Sequence, residues 1–380
     1  MDFAYSDEQR ALREIAGRLL DERFTDEFRR LFARSGAAYD EELWAALAQS
    51  GLLGTAIDPE HGGSGLGLTG LSLLLEEQGR TLAAVPLFAT LVLGARPLER
   101  FGTPAQRGLL HEVLAGGALL SAALEEAGET FGAPRTRADP AAGGWRVNGV
   151  KTCVPYAAQA RALLVSVCTP EEPARLLLID SGAPGLTVED QHSSSGEPQG
   201  RVSFAAVPVS DRDWLGQGAG PLQWLIDQAR VAQAAWQFGL LREALRRAAA
   251  YVTDRRQFGR PVGSFQAVQH RLADCFIDLE ALHSAYLRAV WALDAGQEAS
   301  AAALSAHCWA VQAGQRISHA VQHVHGGLGA DLEYPIHAYY LRSKQLGLAL
   351  GGALPALAQL GAQLAAGRVA PFTASGNPHA

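Results

Sequence analysis

The chain has 380 residues, 48% of them apolar, and a formal net charge of −7. This is enough for two or three domains and a large core; it excludes a disordered chain and argues against a general nucleic-acid binder. Four scattered cysteines, Cys153, Cys168, Cys275 and Cys308, form no CxxC pair, which points to reduced thiols in a cytoplasmic protein rather than a disulfide frame or zinc site.

In chain order, the first residues lack the basic start and apolar run of a signal peptide. Ser6 and Gln9 make a capping-box start, after which Leu12, Ile15, Leu19 and Leu20 recur at helical spacing. A second amphipathic run through Leu43, Trp44 and Leu47 ends at Gly51. Residues 68–82 and 103–114 are again helical in pattern, the latter opened by Thr103 and Pro104. The glycine-rich stretch from Asp58 to Gly67 has no strand before it and no Gly-Lys-Ser/Thr after it, so it is expected to be a sharp connection, not a phosphate loop.

Near residue 119 the texture changes. Residues 119–124, 144–151, 162–168, 175–179 and 201–205 are short β-type runs, and Asn148-Gly149 is a hairpin signal. They predict a small β-barrel or sandwich. From about residue 220 the helical period returns, with helices over 222–254, from Val268 through Val290, from Leu304 through Val324, and over 337–364. Four long helices predict an antiparallel bundle. The expected fold class is therefore α+β and multidomain: helical domain 1–118, central β domain 119–213, four-helix bundle 214–368 and a loose tail 369–380. No apolar run reaches membrane-spanning length without polar interruption, so no membrane insertion is expected.

Between the first two bundle helices, Asp254 to His270 combines arginines, which offer planar forks for phosphate, with Phe258, Phe265 and a Gly259-Arg260-Pro261 turn. Such a stretch suits a large anionic, partly aromatic ligand. Its plain alternative is a charged helix end, a turn and a helix start.

The order of elements and several motifs resemble the acyl-CoA dehydrogenase family over nearly the whole chain. The residues concerned are Pro59-Glu60-His61-Gly62-Gly63-Ser64-Gly65, Asn148-Gly149-Val150-Lys151, Arg255-Arg256-Gln257-Phe258-Gly259, Phe265-Gln266-Ala267-Val268-Gln269, His325-Gly326-Gly327-Leu328-Gly329 and Glu333-Tyr334-Pro335. The resemblance implies FAD as cofactor, an acyl-CoA thioester as substrate, α,β-desaturation as reaction, a homo- or heterotetramer, and an electron-transfer flavoprotein as acceptor. It implies that Arg255 pairs with the FAD diphosphate, Phe258 packs on the cofactor and Gln266 hydrogen-bonds it, in the family across a subunit boundary. It places His323 where the family has a glutamine, Gly326 and Gly327 beside the cofactor, and Arg230 at the substrate.

The chain also departs from that pattern. The family's glutamate base falls at Leu350, and from Tyr334 to Ala380 there is no Asp or Glu. The alternative base position, before Arg230, is Ala229. Asp227 is a poor substitute, about 200° around the helix from Ala229. The segment that lines the flavin in the family reads Leu124-Glu125-Glu126-Ala127-Gly128-Glu129-Thr130, with three carboxylates as poor neighbours for a diphosphate or reduced flavin. The segment against the flavin ring reads Cys153-Val154-Pro155-Tyr156, whose Val-Pro resembles bacterial members built from unlike subunits. The resulting expectation is a base-less subunit of a heteromeric assembly that completes a partner's FAD site. The alternatives are a non-catalytic structural or regulatory subunit and a flavin monooxygenase on the same fold. His319, His323 and His325 sit at helical spacing without a carboxylate at ligand spacing, so no metal site is expected.

Overall fold

The computed structural model describes residues 3–368; the tail expected at 369–380 lies outside the described residues. The chain opens with α1 (Asp7–Arg23), α2 (Asp26–Ser35) and α3 (Glu41–Gln49), each with a side-chain N-cap from Ser6, Thr25 or Asp40. The glycine-rich stretch is the expected sharp connection: a single 3-10 turn spans Pro59–His61, and a Cβ at Gly63 would lie 2.0 Å from the Ile57 carbonyl oxygen. Then come α4 (Gly67–Thr81), a wide π-type turn at Phe88–Ala95, α5 (Arg96–Phe101), α6 (Pro104–Arg107) and α7 (Leu109–Leu114).

The β region contains two sheets, bridged to one another where Arg137 pairs with Cys168. One has the order β1 (Leu120–Ala123), β4 (Ala162–Val167), β5 (Arg175–Asp180); the other has the order β2 (Arg137–Ala141), β3 (Gly144–Pro155), β7 (Pro198–Val209), β6 (Leu186–His192). They share a core that includes Val147, Leu163, Val165, Leu177, Val202 and Phe204, the small β domain expected. Asn148-Gly149 does not turn a hairpin. It lies inside β3, where the register to β7 shifts between Val147 and Gly149, and Asn148 Oδ1 accepts the Ala206 N–H at 2.8 Å. The β2–β3 turn falls at Ala142-Gly143, between paired Ala141 and Gly144.

The bundle comprises α8 (Gly220–Asp254), α9 (Gln266–Asp294), α10 (Ser300–Val324), α11 (Ile336–Leu348) and α12 (Ala353–Ala365), with a two-stranded ribbon, β8 (Arg256–Gln257) and β9 (Arg260–Pro261), between α8 and α9. The single last helix expected over 337–364 is two. Leu350, Gly351 and Gly352 all have positive φ (55°, 84° and 68°), which ends the α11 ladder, and the two halves bend by 42°. No single helix among the described residues is long and apolar enough to cross a membrane.

The N-terminal helices and the bundle meet where α4 crosses α8. Gly79 and Gly239 make the crossing close: a Cβ at Gly239 would sit 2.0 Å from the Glu76 carbonyl oxygen, and one at Gly79 2.3 Å from that of Trp236. Because α8 runs 35 residues, about 52 Å, it connects two functional regions at its opposite ends.

Candidate functional site

At the C-terminal end of α8 the chain turns through Phe258-Gly259, the two residues between paired Gln257 and Arg260. Both have positive φ, 53° and 80°, as a two-residue type I′ hairpin requires. For phenylalanine this conformation costs about 1–2 kcal/mol, and its ring is left 93% exposed. Phe265 meets it edge-on at 6.2 Å, and the Arg260 guanidinium lies 4.0 Å over Phe265. Arg260 thus braces the turn by a cation–π contact. Gln266, exposed, opens α9. Arg255 lines a cleft of about 490 Å³ with Arg246, Arg247, Tyr251 and Tyr334. Arg246 and Arg247 are bound to Glu243; among the described residues Arg255 makes no ion pair, and its side chain is exposed.

The end of α10 lies at the same end of the bundle. His323 Nδ1 is 3.2 Å from Arg271 Nη1 on α9, and the neighbouring Gln322 donates to the Gly329 carbonyl at 3.0 Å, so Gln322 is committed to the turn. A Cβ at Gly326 or Gly327 would meet nothing within 4 Å, which leaves that backbone open to an incoming group. His325 is buried and stacks on Tyr251 at 4.4 Å, whereas His319 meets Tyr340 edge-on. The three histidines therefore face three different partners.

Arg230 is elsewhere. Twenty-five residues before Arg255 on the same helix, it lies about 37 Å away along the axis. It is 2% exposed; its Nη2 donates to Gln359 Oε1 on α12 at 3.0 Å, its Nε has no partner among the described residues, and the Phe131 ring lies 5.9 Å from the guanidinium carbon. Around it burial shifts the ionisable groups toward their neutral forms. Burial pushes the Asp227 carboxyl up to about 6, against hydrogen bonding from Gln223 and attraction to Arg230. Burial, with Arg230 adding to it, pushes His307 down to about 4. Of the two expected base positions, Ala229 is fully buried in the helix packing and the Leu350 side chain is buried at the α11–α12 break. Neither position carries an ionisable side chain.

The three carboxylates of 124–130 differ from one another in ways the sequence does not reveal. Glu126 accepts from the buried Lys151 Nζ at 2.7 Å and from the Thr136 N–H at 2.9 Å. Burial would raise its carboxyl, but these partners hold it below the usual range. Lys151, fully buried, is pushed down to about 8 by burial against the pull of Glu126, and also donates to Ser166. Glu129 pairs with Arg135 at 2.8 Å. Of the three, Glu125 has no cation partner among the described residues. Its Oε1 accepts the Leu350 N–H at 2.8 Å, and burial holds the carboxyl above the usual range. Burial, with the Glu125 charge adding to it, also raises the nearby Cys153 thiol.

The two regions therefore differ in how well they suit FAD. At the hairpin, a guanidinium, an aromatic ring and an amide stand exposed on one ribbon and helix start, matched to a phosphate, a ring face and a polar edge. At residues 124–131, the buried Glu125 carboxyl has no counter-ion among the described residues and faces the break after α11, a poorer setting for an electron-rich ring.

Comparison with known proteins shows the family. The acyl-CoA dehydrogenase N-terminal domain matches residues 6–117 and the acyl-CoA dehydrogenase C-terminal domain matches residues 216–353. The chain is 34% identical to acyl-CoA dehydrogenase FadE27 of Mycobacterium tuberculosis, over 96% of this chain and 99% of that protein. Among solved structures it resembles a chain of a variant of the Tcur3481-Tcur3483 steroid ACAD (42% identity, TM-score 0.91), and one of the ChsE4-ChsE5 complex from Mycobacterium tuberculosis (34%, TM-score 0.91). Each match covers 96% of this chain and 99% of the other. The chain belongs to the acyl-CoA dehydrogenase family, FAD-dependent oxidoreductases acting on CH–CH groups of acyl-CoA.

Proposed function

We propose that this chain is the base-less subunit of a mixed acyl-CoA dehydrogenase assembly and completes the FAD site of an unlike partner. The observation behind this reading is the hairpin: Phe258 is held in a costly backbone conformation with its ring exposed, beside an unpaired Arg255 and Gln266. Among the described residues the Phe258 ring meets Phe265 edge-on but stays exposed, and Arg255 makes no ion pair. A second chain laid against them would supply the rest of the site, with Gly326, Gly327 and His323 at its edge. The two solved structures named above carry paired names, Tcur3481-Tcur3483 and ChsE4-ChsE5, which supports an unlike partner. The word steroid in the first supports a bulky acyl group.

When bound, FAD supplies the hydride acceptor for desaturation of the thioester. This chain's part is to bind and orient: Arg255 neutralises phosphate, Phe258 covers an aromatic face, and Gln266 fixes a polar edge. Abstraction of the α-proton requires a carboxylate near the thioester, and with Ala229 and Leu350 at the usual positions that group belongs to the partner. An electron-transfer flavoprotein is the proposed acceptor from the assembly.

The test is to express the chain alone and together with its candidate partner and to measure bound FAD and dehydrogenase turnover. The expected result is turnover with FAD at the unlike interface and none from this chain alone. Full flavin occupancy with turnover by the isolated chain overturns the proposal.

A further inference from the structure

We infer that this chain's own flavin region is latched shut by two β-domain carboxylates, Glu125 at the break that follows α11 and Glu197 midway along that helix. The inference rests on the reading of the chain as the lending subunit and adds a physical reason for the loss of its own half-site. At the break, Glu125 Oε1 takes the Leu350 N–H at 2.8 Å. That amide belongs to a non-glycine residue at φ 55°, followed by Gly351 and Gly352 at positive φ, so the contact fixes a backbone conformation that leucine rarely adopts. Phe131 from the same loop packs on the break; a Cβ at Gly351 would lie 2.8 Å from that of Phe131. Midway along α11, Glu197 Oε1 pairs with Arg342 Nη1 at 3.0 Å, and both side chains are nearly buried. Gln345, one turn from Arg342, donates to Glu197 and accepts from Ser195.

These contacts tie the segment 124–131 and the 193–197 loop to one helix, α11, and to its terminal break. A ring bound between the β sheets and the bundle has to separate those surfaces. The Glu197 contact is strong because a cation and a carboxylate are paired with little water. The Glu125 contact has no cation on either side, so its role is positional. It holds the break closed through one amide and sets a carboxyl group where a flavin ring would lie.

The alternative role for Glu125, a relocated proton acceptor, predicts something different: turnover by this chain that disappears when the carboxyl is removed. The experiment compares the wild-type full chain, Glu125→Ala, Glu197→Ala and the double variant. It measures hydrogen exchange of the 349–352 amides and FAD binding by fluorescence titration, with a thermal melt to confirm folding. For folded variants we expect exchange at Leu350 to accelerate at least tenfold in Glu125→Ala, and FAD affinity of the isolated chain to rise at least tenfold in the double variant. If the double variant does not fold, the same tenfold gain in affinity is required of Glu125→Ala alone. Unchanged protection at Leu350 overturns the latch, and so does faster exchange without a gain in FAD affinity. Turnover by the wild-type chain that Glu125→Gln abolishes also overturns it. The lending role fails separately, on whether the mixed assembly carries flavin at its unlike interface, which none of these variants decides.

Discussion

At the scale of single residues, burial decides which charges this protein can hold. The Asp227 carboxyl, pushed up to about 6 from an ordinary 3.8, is neutral in both folded and unfolded chains below about pH 4. As pH rises through 6 the folded chain must ionise a buried group that the unfolded chain ionised earlier, so stability falls by up to about 3 kcal/mol. Asp227→Asn keeps the acceptor for Gln223 and removes that cost. It should stabilise the chain by about 1–3 kcal/mol at pH 7.5 and leave it nearly unchanged at pH 4, as read by thermal melts at the two pH values. Lys151 is the opposite case, a buried cation whose partner is also buried. Lys151→Met should cost about 3–5 kcal/mol because Glu126 is left without its counter-ion. Adding Glu126→Gln should recover much of that loss, and a denaturant titration of the single and double variants checks it.

At the scale of elements, glycines set how closely helices pack. Gly239→Ala drives a methyl against the Glu76 backbone, which cannot yield as a flexible side chain would. We expect at least about 3 kcal/mol of destabilisation and a clear fall in the melting temperature, whereas Ala at Gly361, where nothing lies within 4 Å of the added atom, should be tolerated. The helices themselves were legible in sequence because caps and apolar spacing are local signals: Ser6 and Gln9 cap α1 as expected, and Leu12, Ala16 and Leu20 are its buried face. Two strands were not legible. Pro140 and exposed charge disguise β2, and β6 is an edge strand with mostly polar, partly exposed residues. Asn148-Gly149 misled because the dipeptide that favours a type I′ turn also favours a bulge inside a long strand. The break at 349–352 was hidden by a continuous helical period in which only the paired glycines hinted at an end.

At the scale of the whole molecule, the legible part of the site was the part built from contiguous sequence. Arg255, Phe258 and Gln266 could be read as one unit because all three belong to the single ribbon and helix start between α8 and α9. Lys151–Glu126 and Glu125–Leu350 could not, since they join residues 25 and 225 positions apart. The contiguous unit also gives the last prediction. Arg255 makes no ion pair within the described chain, so Arg255→Ala should leave the stability of the isolated chain within about 0.5 kcal/mol of wild type, the range of a neutral surface change. In the mixed assembly the same substitution removes a charge-assisted contact to phosphate worth about 1.5–3 kcal/mol, which weakens FAD binding by roughly 10- to 150-fold. The measurement is FAD retained per assembly after desalting, with a titration for affinity. Loss of flavin from the mixed assembly, with the isolated chain equally stable and equally poor in flavin before and after, is expected of a residue that serves a neighbour. A flavin loss seen in the isolated chain instead would show that copies of this chain complete one another's sites and that the assembly needs no unlike partner.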